Sequence, residues 1–181
     1  MRKLAHQSRR GFTLIELIVV IVVIGIISGV AIGTMGGSRQ NRQRQAARTL
    51  LSDISYARER ALATGHATWV YVYTNTEVVS LFETVGGVVV TMTDPATNRA
   101  LSTVLGSGSD NSQYNEVGVF TVNGATSASA IILGFDWQGR LTDSGGVAAT
   151  TDWTLTLTQT GQTTITLTVY AESGLATITA W

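Results

Sequence analysis

Residues 14–32 read LIELIVVIVVIGIISGVAI, a run of apolar or small side chains broken by one charge, Glu16. Nineteen residues in helical conformation cover roughly 28 Å, close to the hydrocarbon thickness of a bilayer. A secretory signal has an apolar core of about 7 to 15 residues followed by a small-residue cleavage site. This run is longer, which favours an anchor that stays. In a chain of 181 residues the remainder is enough for one modest domain with its own core, not two.

Charge is distributed unevenly around that run. Arg2, Lys3, Arg9 and Arg10 precede it and Arg39, Arg42, Arg44 and Arg48 follow it. Equal flanks leave the orientation across a bilayer open. From Thr49 onward four arginines (58, 60, 99 and 140) face eleven acids, a net of −7. An acidic head lacks the clustered Lys and Arg that phosphate contacts need, so nucleic acid is disfavoured as a partner. There is no cysteine, which removes disulfides, thiolate metal sites and a cysteine nucleophile.

After Gly33, Gly36 and Gly37, expected to bend or loosen the helix, a second helical pattern begins. Ala46, Ala47, Leu50, Leu51, Ile54, Ala57 and Ala61 recur at three- and four-residue steps and form an apolar stripe, and Gly65 supplies a stop. From residue 68 the period changes to two. Strands are expected at 69–73, 78–82, 88–93, 117–122, 130–135, 153–159, 163–170 and 175–180. In TLTLTQ and TITLTVY, Leu or Ile alternates with Thr, as in a sheet with one dry and one wet face.

Chemistry-bearing residues are sparse. His6 lies before the apolar run and His66 at the corner where helix gives way to strand; neither has a G-x-S-x-G elbow or a triad to serve, so no catalytic residue is assigned. Asp110, Asn111 and Glu116 carry oxygen ligands suited to calcium, but without EF-hand spacing, and the loop reads as solvated; no metal and no cofactor is assigned. Trp69, Trp137, Trp153 and Trp181 read as core or edge packing, since stacking on single strands needs interleaved bases. The arginines at 39, 42, 44 and 48 suit anionic headgroups, acids of adjacent subunits, or simply a solvated helix face.

The basic leader, Gly11 and the following FTLIELIVVIVVIGII resemble the prepilin signature of type IV pilins and type II secretion pseudopilins. The resemblance implies that a prepilin peptidase cuts after Gly11 on the cytosolic side, that Phe12 becomes the N-methylated first residue, and that the amino terminus faces the cytoplasm with the head in the periplasm. It implies further that Glu16, fifth after the cut, meets the amino terminus of a neighbouring subunit as a filament grows. The competing reading of Glu16 is a carboxylate near the helix end that snorkels to the headgroups. Some major pseudopilins related by this resemblance bind calcium.

The head is similar to the GspH/FimT type in LLSDISYARERALATGHATWVYVY, ILGFDWQGRLT and TITLTVYAESGLATI. Many pilins carry a proline where Gly33 stands. The DNA-binding FimT branch carries an arginine-rich closing turn, whereas here the turn reads Ser173-Gly174-Leu175-Ala176, which favours the GspH-like branch. The expectation is thus an α+β pilin-like fold: leader 1–11, assembly helix 12–33, amphipathic continuation 34–65, and a β-rich head at 66–181 on an antiparallel sheet or two sheets. Expected partners are other pilin or pseudopilin subunits, the prepilin peptidase, the inner-membrane assembly platform and membrane lipid. The expected role is a minor pseudopilin or pilin subunit, with a DNA-binding minor pilin and a major structural pilin as alternatives.

Overall fold

The computed structural model describes residues 13–105, 117–123 and 130–180; for 27–38 and 118–123 the description is of the backbone alone. The leader, Gly11, Phe12, the loop holding Asp110 to Glu116, and Trp181 lie outside the described residues. The chain divides into two units, Met1–Ser38 and Arg39–Trp181.

A single helix, α1, is assigned over Leu14–Thr64. Its helical backbone continues through Gly33, Gly36 and Gly37, which at about 1 kcal/mol each weaken the helix without ending it. In the second unit the buried apolar helical residues are Ala46, Ala47, Leu50, Ile54, Ala57 and Ala61, the stripe expected from sequence, except that Leu51 is only half-buried at its margin. Four alanines on this face let the sheets approach the helix axis closely. The helix ends as its last residues dictate: Gly65 takes φ +69° and its N–H donates to the Ala61 carbonyl at 2.9 Å, the αL cap that a side chain with a Cβ resists.

Among the described residues ten strands follow, in two antiparallel sheets. The first runs β3 (Val88–Thr91), β2 (Val78–Val85), β1 (Thr68–Tyr73), β6 (Ala130–Phe135), β7 (Leu141–Thr142), with β4 (Ser102–Val104) also on β2. The second runs β10 (Ala176–Ala180), β9 (Ile165–Val169), β8 (Trp153–Thr158), β5 (Gly118–Asn123). Alternation decides which face is dry. Val70 and Val72 on β1, Val79 and Leu81 on β2, and Ile131, Leu133 and Phe135 on β6 join Leu155, Leu157, Ile165, Leu167 and Val169 of the second sheet in one buried cluster with the helical stripe. Among the described residues every buried apolar side chain belongs to Arg39–Trp181, so the head carries its own core.

Polar ties fix the helix on both sheets. Gln43, 1% exposed, donates through Nε2 to the carbonyls of Leu157 and Thr163, each at 2.9 Å. The Thr68 hydroxyl donates to the Ala57 carbonyl at 2.9 Å. Gly174 (φ +63°) lies so close to the Gly139 carbonyl oxygen that a Cβ there would collide with it. Of the three described tryptophans, all expected in core or edge packing, Trp153 is buried, Trp69 is half-buried on the outer face of the sheet, and Trp137 departs from the expectation at 63% exposed. Trp137 sits in a turn held by Asp136, whose Oδ1 accepts the N–H groups of Gln138 and Arg140 at 2.9 Å, so backbone geometry rather than burial places it.

Candidate assembly site

Over its described side chains, residues 14–26, the first unit is a helix that is apolar all round apart from Glu16. Eleven large apolar residues between Leu14 and Ile26 are 46–77% exposed. Such a surface requires lipid or other protein to cover it. Among the described residues no helix is long and apolar enough to cross a membrane, and side chains of the run are described only to residue 26.

Glu16 stands in the first turn of this helix and is held by its own chain. Its Oε2 accepts the Thr13 N–H at 2.9 Å and the Thr13 hydroxyl at 2.9 Å, while the Thr13 hydroxyl oxygen accepts the Glu16 N–H at 3.3 Å. The Leu17 N–H donates to the Thr13 carbonyl at 3.2 Å and opens the helical ladder. This is a reciprocal capping box: Thr13 is the N-cap, Glu16 is the third helical residue, and two N–H groups that the helix itself leaves unsatisfied each find a partner. The helix dipole also favours a carboxylate at this end. The sequence carried the signal, T-x-x-E ahead of an apolar run, but reading Glu16 as the partner of a neighbouring amino terminus or as a snorkelling carboxylate passed over it. Ile15, Val19 and Val20 flank Glu16 around a shallow open depression. Gly11 and Phe12, the expected processing residues, lie outside the described residues.

On the head, three arginines are committed to local partners. Arg60 Nε donates to Glu83 at 3.0 Å, Arg140 reaches Asp136 at 2.8 Å, and Arg58 Nε donates to the Ser173 carbonyl at 2.7 Å. Three of the four arginines beyond Thr49 thus serve the fold. His66 is exposed at the corner, its N–H donating to the Thr64 hydroxyl at 3.3 Å. Among the described residues no cluster of His, Asp or Glu could hold a metal ion.

One acid stands apart. Asp53, on the helix and half-buried, accepts a hydrogen bond from the Thr103 side chain of β4, while its Oδ2 is buried without a partner. Burial pushes this carboxyl up from 3.8 to about 6, against the lowering effect of Thr103. Sequence reasoning missed it because the apolar stripe at 50, 54 and 57 gives no sign that the residue beside it is covered by a strand fifty positions away.

A capped apolar helix thus precedes, in sequence, a head of two antiparallel sheets around its own helical segment. Residues 6–32 match the prokaryotic N-terminal methylation motif. A 49-residue segment is 41% identical to the type II secretion system core protein G of Klebsiella michiganensis, covering 27% of this chain and 32% of that protein. The chain therefore spans about a third of that relative's length. The structure is similar to the type IV minor pilin FimU of Pseudomonas aeruginosa, with TM-score 0.52 and 16% identity over 77% of this chain and 89% of that one. It is likewise similar to the minor pseudopilin EpsH from the type 2 secretion system of Vibrio cholerae, with TM-score 0.53 and 17% identity over 77% of this chain and 97% of that one. At such identities the likeness is one of fold, and that fold is the α+β pilin-like one expected from the sequence.

Proposed function

We propose that this chain is a minor pseudopilin or pilin subunit of the GspH-like kind, inserted in the bacterial inner membrane by residues 12–33 with its amino terminus cytoplasmic and its head periplasmic. The observation that carries the reading is the combination of a methylation-motif amino terminus with a head of minor-pilin fold. On this reading a prepilin peptidase cuts after Gly11, Phe12 becomes the methylated amino terminus, and an assembly platform moves the subunit from lipid into a filament. The apolar surface of residues 14–26 leaves lipid only when neighbouring helices cover it, which is what a filament interior offers. Glu16 then exchanges its neutral Thr13 donors for the charged Phe12 amine of an adjacent subunit, which adds an opposite charge to the hydrogen bond. The chain performs no reaction; the work of assembly belongs to other components.

Intact-mass analysis of the membrane-extracted protein tests the processing step. The expected mass lacks residues 1–11 and gains one methyl group, and an unprocessed chain or a cut near Ala31 would overturn the reading. Incorporation into sheared filaments tests the assembly step: Glu16→Leu is expected to abolish it, and full incorporation of that variant would remove Glu16 from the mechanism.

A further inference from the structure

One covered carboxyl, that of Asp53, takes no part in the apolar core or in the assembly site. Strand register explains what covers it. Along β2 the inward residues Val79 and Leu81 are buried, and β4 runs antiparallel beside them with Thr103 opposite Val79. The Leu81 N–H donates to the Leu101 carbonyl at 3.1 Å and the Leu105 N–H to the Glu77 carbonyl at 2.8 Å. By alternation Val79↔Thr103 is a hydrogen-bonded pair, and the Thr103 side chain shares the inner face with Val79, toward the helix. A position that an aliphatic side chain would fill is therefore polar, and it meets an acid. The Thr103 side chain bonds Asp53, whose Oδ2 is sealed from water without a partner. The cover itself is slight: β4 is three residues long and pairs with β2 alone, off the main path of its sheet.

The charged and titratable groups around Asp53, among the described residues, lie elsewhere. On the helix Arg48, Tyr56 and Glu59 are exposed. The strand β4 carries none. Glu77 precedes β2, and Glu83 within β2 is paired with Arg60 at 3.0 Å. In the segment leading to β4, Asp94 accepts the Ala96 N–H and the Thr97 hydroxyl, and Arg99 is exposed. Burial pushes the Asp53 carboxyl up to about 6 and the Thr103 hydroxyl works against it, so the two effects that set its titration both come from the cover rather than from a neighbouring charge.

We propose that Asp53 and Thr103 form a proton-operated latch on β4: the strand stays closed on the helix while the carboxyl is protonated, and opens from the β2 edge more often once it is ionised. Opening brings water to an anion that the closed head leaves short of a donor. It does so without disturbing β1, which is bonded on both sides by β2 and β6. The direction follows from the raised carboxyl. Below about 4 the closed and open forms both hold the proton, and opening is rare. Between about 4 and 6 the open form ionises first, so opening grows easier as pH rises, and above about 6 both forms are ionised and the effect is complete. Each opening bares the ladder groups of Val78, Val79 and Ser80, so pH sets how much of the β2 edge is free. The latch belongs to the head alone and stands apart from the assembly reading.

Amide hydrogen exchange of the full chain in detergent tests the latch, each rate being divided by its intrinsic rate at the same pH. The reporters are the Leu105 amide, bonded to the Glu77 carbonyl, and the Thr103 amide, bonded across to Val79. The β1 amides mark the level set by unfolding of the whole head. Both reporters are expected to be less protected than β1 at every pH. Their protection is expected to fall about 100-fold between pH 4 and pH 7.5, the ratio that a rise from 3.8 to about 6 implies. Asp53→Asn is expected to keep them at their pH 4 level throughout. Thr103→Val keeps the branched shape but removes the donor that favours the anion, and is expected to move the midpoint to higher pH. Reporter protection that equals that of β1, that does not change with pH, or that falls as far in Asp53→Asn would overturn the latch, as would an unmoved midpoint in Thr103→Val.

Discussion

Replacing Asp53 by Asn should make the head more stable at neutral pH, an unusual direction for a change at a half-buried hydrogen-bonded site. The carboxyl is raised from 3.8 to about 6 by burial. Below its unfolded value both states hold the proton and the site costs nothing. Between about 4 and 6 the unfolded chain ionises while the native state still holds its proton, so stability falls as pH rises, and above 6 the loss is complete. A shift of about two units at about 1.4 kcal/mol each amounts to about 3 kcal/mol. Asparagine keeps a polar partner for Thr103 without the charge, so Asp53→Asn should recover up to about 3 kcal/mol at pH 7.5 and little at pH 4. The measurement is urea unfolding of the fragment 39–181, followed by tryptophan fluorescence, for both proteins at the two pH values. An Asn variant that is less stable than the parent at pH 7.5, or that retains the parent's pH dependence, would refute the reasoning.

Other substitutions separate the contributions of the remaining features. Leu50→Ala removes a fully buried side chain from the centre of the helical stripe and should cost about 2–5 kcal/mol in the same urea assay. Gly174→Ala combines a positive φ with a Cβ directed at the Gly139 carbonyl oxygen and should lower the melting temperature by at least about 3 °C. Arg60→Ala breaks a half-exposed ion pair with Glu83 and should cost less than about 1 kcal/mol by chemical denaturation.

Much of the fold was legible because each element obeys a local period. The helix announced itself through Ala46, Leu50, Ile54, Ala57 and Ala61 together with the Gly65 stop, and strand β6 was expected at 130–135, where it lies. Strands β8 and β9 followed from alternating Leu or Ile with Thr, with ends off by one or two residues because the last ladder bonds depend on neighbours rather than on the strand itself. The strands β4 and β7 were not foreseen; three and two residues carry no period, and only pairing with β2 and β6 makes them strands. The division of the head into two sheets is a matter of partner choice, which alternation within a strand does not encode. In the apolar amino-terminal helix, Glu16 stood out as a lone charge, but its role as half of a cap became visible only once Thr13 was seen donating to it.

On the proposed assembly reading, that cap changes what passage of the helix from lipid into a filament would demand. A bare carboxylate would need a fresh counter-ion at every stage, and any interval without one would be a barrier. The acid would instead carry donors supplied three residues upstream in its own chain, and an incoming amine would have only to outcompete a threonine.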